Sequence, residues 1–186
     1  TLTFEDSGQR TTTFTQINNL IEGTSFTFSG SHQIDGSVGL QATASGTLTG
    51  PTDGSEWRIK SDNGGTIDST KFANCSHLVG QAGNDDFIFE GAHQLTDITA
   101  GGGTNTLQGP DAGSSWSIDG SDSGAIVGQV TFSEIGKVIG GSNTDTFTFG
   151  TSGVLTGVGV DGGSGGANKI IGKNLANTWT IDSVDG

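Results

Sequence analysis

Apolar and polar residues alternate along this chain in short runs, and each run stops at a turn rich in Gly, Asn or Asp. The plainest case is Thr146-Phe147-Thr148-Phe149, where the two Phe fall on one face and the two Thr on the other. That period of two belongs to a strand with one buried side. In the last third of the chain it predicts strands over 125–132, 137–139, 146–149, 154–160, 169–171 and 179–181. No stretch repeats its apolar residues near every 3.6 positions between capping residues, so almost no helix is expected.

The same text returns three times. Phe26 and Phe28 recur as Phe87 and Phe89, then as Phe147 and Phe149. A Trp-x-Ile step recurs as Trp57 and Ile59, Trp116 and Ile118, and Trp179 and Ile181. These six Phe, three Trp and three Ile are the expected core ladder. Self-similarity at about sixty residues marks a repeat architecture. Short strands between glycine turns at a regular period favour a solenoid over a sandwich. The fold expected is all-β, a parallel β-solenoid of about three 60-residue repeats, with two or three coils to a repeat and equivalent residues meeting in ladders. The whole of 1–186 reads as one array, in units of approximately 1–58, 59–117 and 118–181 and the start of a further one. Both ends fall at nearly the same phase of the repeat without a polar capping unit, so the expectation is a piece of a longer solenoid.

Composition narrows the partners. A net charge of −13, from 20 acidic and 7 basic residues, argues against nucleic acid and anionic membrane surfaces, which demand clustered Lys and Arg. Apolar runs fall far short of the ~20 residues of a membrane helix, so no membrane insertion is expected. Thirty-four glycines fit many tight turns, while ten Phe and three Trp at recurring positions argue against disorder. The single Cys75 stands where the other units have Ile17 and Ile135, and reads as a small buried hydrophobe. His32, His77 and His93 read as surface polar residues.

Two segments resemble the calcium-binding Gly-Gly-x-Gly-x-Asp nonapeptide of RTX β-rolls. They are Gly80 to Ile88, with Gln81 in place of the second Gly, and Gly140 to Thr148, with Asn143 in place of the third. Asp85 and Asp145 are therefore the candidate Ca²⁺ ligands. A hard Ca²⁺ ion takes six to eight oxygens. Here the copies stand about sixty residues apart, so the expected reading is turn closure without a cofactor, with Ca²⁺ as the alternative. The glycine-rich stretches at 100–107 and 161–170 lack the Lys-Ser/Thr ending of a phosphate loop, and their Asn105 and Asn168 suggest an Asn ladder between coils.

The recurring text from Trp116 to Gly163 resembles repeats of giant secreted bacterial adhesins of the filamentous-haemagglutinin-like kind. That resemblance implies a right-handed parallel β-helix and an extracellular or cell-surface location. It also implies a rod that projects a binding tip or joins cells and matrix in a biofilm. Scattered acidic residues and the lack of a non-repeating site make a structural, non-catalytic role the first expectation, and the strand edges of an uncapped coil make end-to-end pairing with further copies of the chain a related one. A calcium- or polysaccharide-binding module is the second expectation. A polysaccharide lyase or hydrolase is the third, and it would require clustered carboxylates in a groove.

Overall fold

The computed structural model describes residues 46–178 and 180, together with five earlier strands, Leu2–Glu5, Thr11–Phe14, Asn19–Ile21, Ser25–Thr27 and Ser37–Gly39. No helix occurs among the described residues, and the chain is all-β. Burial alternates as the sequence pattern demands. Strand Glu56–Ser61 buries Trp57 and Ile59 and leaves Glu56 and Lys60 exposed, and Ser115–Gly120 does the same with Trp116 and Ile118.

Two nine-stranded sheets carry the structure. Sheet I runs Ser25–Thr27, Gly46–Thr49, Cys75–Val79, Asp97–Thr99, Val130–Ser133, Ser123–Ile126, Ser115–Gly120, Thr146–Phe149, Lys169–Ile171. Sheet II runs Asn19–Ile21, Ser37–Gly39, Thr70–Ala73, Gly64–Ile67, Glu56–Ser61, Asp86–Phe89, Thr106–Gln108, Lys137–Ile139, Gly159–Asp161. Leu2–Glu5 and Thr11–Phe14 form a separate antiparallel pair. Buried residues from both large sheets join in one apolar cluster.

Both sheets are mixed, which corrects the expectation of purely parallel pairing. Strands 56–61, 64–67 and 70–73 form an antiparallel meander in sheet II, and strands 115–120, 123–126 and 130–133 form its counterpart in sheet I. The reason is local. Asp62-Asn63 and Ser121-Asp122 join their strands in two residues, with Asn63 at φ 55° and Asp122 at φ 49°, and so short a link can only connect antiparallel strands. Each middle strand passes so close to its neighbour that Cβ is excluded. A Cβ on Gly65 would lie 1.9 Å from Arg58 O, and one on Gly124 would lie 2.0 Å from Ser117 O. The strand expected over 125–132 is divided by the second link of the meander, where Gly128 takes φ 80°. All other pairings within the two sheets are parallel.

The repeat is a unit of seven strands, from Glu56–Ser61 to Thr106–Gln108 and again from Ser115–Gly120 to Lys169–Ile171. After its meander in sheet II, the first of these units visits sheets I, II, I and II, and the next meander opens in sheet I. The number of crossings per repeat is odd, so successive repeats exchange the roles of the two sheets. Neighbours in a sheet therefore come from different parts of the repeat. Phe87 lies between Trp57 and Leu107, and Phe147 between Trp116 and Ile170, instead of Phe on Phe.

Of the expected core ladder, Trp57, Ile59, Phe87, Phe89, Trp116, Ile118 and Phe147 are buried, and Phe149 packs against them partly covered. Trp57 stacks on Phe87 at 5.4 Å and meets Phe72 edge-on at 6.3 Å. Trp116 repeats the arrangement with Phe147 at 5.5 Å and Phe132 at 6.4 Å. Stacked and edge-to-face contacts at these separations add to plain apolar burial. Phe28, Trp179 and Ile181 lie outside the described residues, and of Phe26 only the backbone is described.

Candidate functional site: the stacked turns of Asp85 and Asp145

Three turns that lead from sheet I to sheet II lie on one another: 50–55, 80–85 and 100–105. Three that lead from sheet II to sheet I do the same at 109–114, 140–145 and 162–168. Both stacks are laced by the same backbone bonds. Gly50 N–H donates to Val79 O and Asp86 N–H to Ser55 O; in the other stack Gly109 N–H donates to Ile139 O and Thr146 N–H to Ser114 O.

The last residues of the three turns form a ladder of three different letters, in which a backbone N–H donates to the side chain one level on. Ser55 N–H donates to Asp85 Oδ1 at 3.0 Å, and Asp85 N–H donates to Asn105 Oδ1 at 2.9 Å. Equivalently, Ser114 N–H donates to Asp145 Oδ1 at 2.8 Å, and Asp145 N–H donates to Asn168 Oδ1 at 2.8 Å. The amide of Asn105 closes its own turn by donating to Gly101 O and Gly102 O and reaches onward to Glu134 O. Asn168 donates to Gly162 O and Gly165 O. The expected ladder of Asn on Asn is thus a Ser–Asp–Asn ladder, made twice. The serines escaped the sequence reading, although Gly54-Ser55-Glu56-Trp57 and Gly113-Ser114-Ser115-Trp116 set them two places before each Trp.

Asp85 and Asp145 are both fully buried, yet their second oxygens differ. Asp145 Oδ2 accepts Gly141 N–H at 3.0 Å, so each of its oxygens meets an amide. Asp85 Oδ1 takes a second donor, Trp57 Nε1 at 3.0 Å, while its Oδ2 has no hydrogen-bond partner. Burial pushes the Asp85 carboxyl above its ordinary range, against the pull of the Trp57 and Ser55 donors. Trp116 Nε1 is left without a partner.

Glycines fit these carboxylates tightly. A Cβ on Gly80 would come 2.5 Å from Asp85 Oδ2 and 2.1 Å from Ala100 O, and a Cβ on Gly140 would come 2.5 Å from Asp145 Oδ2. What the arrangement does chemically is cap N–H groups that the crossings would otherwise bury unpaired. A Ca²⁺ ion would have to compete with N–H donors for three of the four carboxylate oxygens, all but Asp85 Oδ2. Among the described residues no group of three or more His, Cys, Asp and Glu is placed to hold a metal.

The remaining titratable candidates lie apart. Cys75 is buried, its thiol pushed up to about 12 by burial, and Ile135 is buried at the matching place. His77 lies on a strand, with Nδ1 2.8 Å from Asp97 Oδ2 on the next one. His93 Nδ1 is 4.0 Å from Asp62, and His32 lies outside the described residues. A polar groove of about 460 Å³ is bordered by Thr104, Asn105, Asp122, Glu134 and Thr156. Its two carboxylates already accept backbone amides, Asp122 that of Thr156 and Glu134 that of Gly101. Comparison with family models, curated proteins and solved structures finds no significant match for this chain.

Proposed function

We propose that this chain is a structural, non-catalytic length of an extracellular fibre or adhesin stalk. In this reading the two sheets are walls of a β-solenoid, into which each repeat inserts one antiparallel meander. The observation that carries it is the recurrence of the seven-strand unit, with its Trp–Phe stack and Ser–Asp–Asn ladder, in exchanged sheets. A unit that pairs its last two strands with the next unit, as Asp97–Thr99 and Thr106–Gln108 do with Val130–Ser133 and Lys137–Ile139, grows by addition, and its useful property is length. Antibodies raised against this chain should therefore decorate extended projections or matrix outside the cells that make it, in immunogold electron microscopy. Label confined to the cell interior would overturn the reading.

A polysaccharide-binding module is the second reading, favoured by the polar groove beside Asp122 and Glu134. Calorimetric titration with acidic and neutral polysaccharides and with Ca²⁺ separates the two. Under the structural reading neither gives heat, and the thermal midpoint does not move with Ca²⁺, since amides already occupy Asp145. Saturable heat from a polysaccharide would replace the structural reading with the second one.

A further inference from the structure

The first peptide of the crossing turns is seen in two orientations, and the residue that ends the turn goes with the choice. In 162–168, which ends in Asn168, the peptide between Gly162 and Gly163 offers its carbonyl. Asn168 Nδ2 donates to Gly162 O, and Gly163 takes φ 81°. In 140–145, which ends in Asp145, the peptide between Gly140 and Gly141 offers its N–H to Asp145 Oδ2 instead, and Gly141 does not take a positive φ. Turning one planar peptide over changes the φ of the residue that follows it, so hydrogen bond and dihedral agree in each turn. An amide end meets an acceptor, and a carboxylate end meets a donor.

Turn 80–85 departs from this. It ends in Asp85, yet Gln81 stands at φ 97°, close to the 81° of Gly163 and the 84° of Gly101, both in turns that end in Asn. Asp85 Oδ2 correspondingly has no donor, although the residue is fully buried. The cause is the side chain at position 81. In the orientation of Gly141 a Cβ would lie 2.0 Å from Pro110 O, and Pro51 holds the place of Pro110 in turn 50–55. Gln81 is thereby kept in the other orientation, where its side-chain amide donates to Gly50 O. A residue with a Cβ does not choose a left-handed φ by itself, so these contacts hold it there.

We propose that Gln81 makes this crossing acid-dependent: it turns Gly80 O toward the place where Asp145 meets an N–H, and Asp85 holds a proton on Oδ2 to donate there, as Asn168 donates to Gly162 O. With the proton the joint has its full set of hydrogen bonds, and without it a buried oxygen faces a carbonyl. Asp145 accepts an amide on each oxygen and calls for no such proton. Burial acts on Asp85 in the same sense, and so do the charges that reach it, Asp68 and Asp86. Of the turns packed on either side, 50–55 has Asp53 as its one titratable residue and 100–105 has none. The first crossing therefore tightens as pH falls through the raised midpoint of Asp85.

NMR titration of the Asp85 side-chain carboxyl carbon in the 186-residue chain, assigned with Asp85→Asn, reads that proton. In the parent chain the midpoint should lie above the ordinary carboxylate value of about 3.9. Gln81→Gly places at φ 97° a residue that is at ease there, so the fold is kept, and it removes both the obstruction and the bond to Gly50 O. The first peptide can then turn as it does in 140–145, and the Asp85 midpoint should fall to the ordinary value or below. In the same variant the indole proton of Trp57 should move upfield toward that of Trp116, whose Nε1 has no partner beside the amide-seated Asp145. A role for Gln81 in stability alone would move neither reading. An Asp85 midpoint at or below the ordinary value in the parent chain overturns the proposal, and so does a Gln81→Gly variant in which Asp85 titrates as in the parent.

Discussion

Trp57→Ala is expected to lower the stability of this chain by about 3–5 kcal/mol, and Trp116→Ala by a similar amount. Each indole is wholly enclosed, stacked on one Phe, edge-on to another and laid over a glycine whose Cβ would approach it to 2.6 Å at Gly50 and 2.7 Å at Gly109. Truncation leaves a cavity that rigid strand pairing on both sides cannot collapse into. Replacement by Phe separates the two positions. Trp116→Phe removes an N–H that has no partner, whereas Trp57→Phe takes a donor from the buried Asp85 carboxylate. Trp57→Phe should therefore cost about 1 kcal/mol more than Trp116→Phe. Urea unfolding at constant slope reads both differences. Losses below about 1 kcal/mol for the two alanine variants would show that neither indole is core.

Much of this architecture is legible in the sequence, because the features that make it are local. The strands Lys137–Ile139, Thr146–Phe149 and Lys169–Ile171 lie where apolar alternation sets them, and Trp57, Trp116, Phe87, Phe89 and Phe147 are buried in the core. Cys75 is buried because it occupies an Ile position. What escapes a reading by period is everything set by pairing between distant segments. The Gly in Asn63-Gly64-Gly65 looks like one more turn letter, and only the 1.9 Å approach of a Cβ to Arg58 O shows that Gly65 admits a middle strand. The ladder partners of Asp85 are a serine 30 residues before it and an Asn 20 residues after it, two different letters, so no self-comparison of the sequence brings them together.

The exchange of sheets between successive repeats escapes for the same reason, since it depends on the parity of the crossings. It also explains how one sequence unit builds two equal sheets. The first complete unit adds five strands to sheet II and two to sheet I, and the next reverses the allocation, so both sheets reach nine. A repeat with an even number of crossings would thicken one sheet at every step and leave the other short, with apolar faces uncovered. Unequal loading within a repeat is thus compatible with a long array only because the next repeat reverses it.

Asp85→Asn and Asp145→Asn are expected to act in opposite directions, although the two positions are equivalent in the repeat. Asp145 accepts an amide on each oxygen, so an Asn there must turn its NH₂ toward either Gly141 N–H or Ser114 N–H. One buried donor loses its acceptor and faces another donor, which should cost about 1–3 kcal/mol. At Asp85 both donors converge on Oδ1, so an Asn keeps them and places its NH₂ where Oδ2 now has no partner. Asn105 and Asn168 already show such an amide at this edge of the turns, each donating to carbonyls of its own turn. The change also removes a buried charge. Because burial raises the Asp85 carboxyl above its unfolded value, the folded state holds the proton more tightly, and this site disfavours folding most at neutral pH. That penalty shrinks as pH falls from the raised value toward the ordinary carboxylate range near 3.9, and is absent below it. Thermal unfolding at pH 7 should accordingly give Asp85→Asn a midpoint equal to or above that of the parent chain, and Asp145→Asn one several degrees below it. The advantage of Asp85→Asn should fade on acidification through that window. Equal losses in the two variants at pH 7 would mean that the second oxygens of the two carboxylates are not distinguished as the hydrogen bonds indicate, and that the Ser–Asp–Asn ladder tolerates no amide at its middle rung.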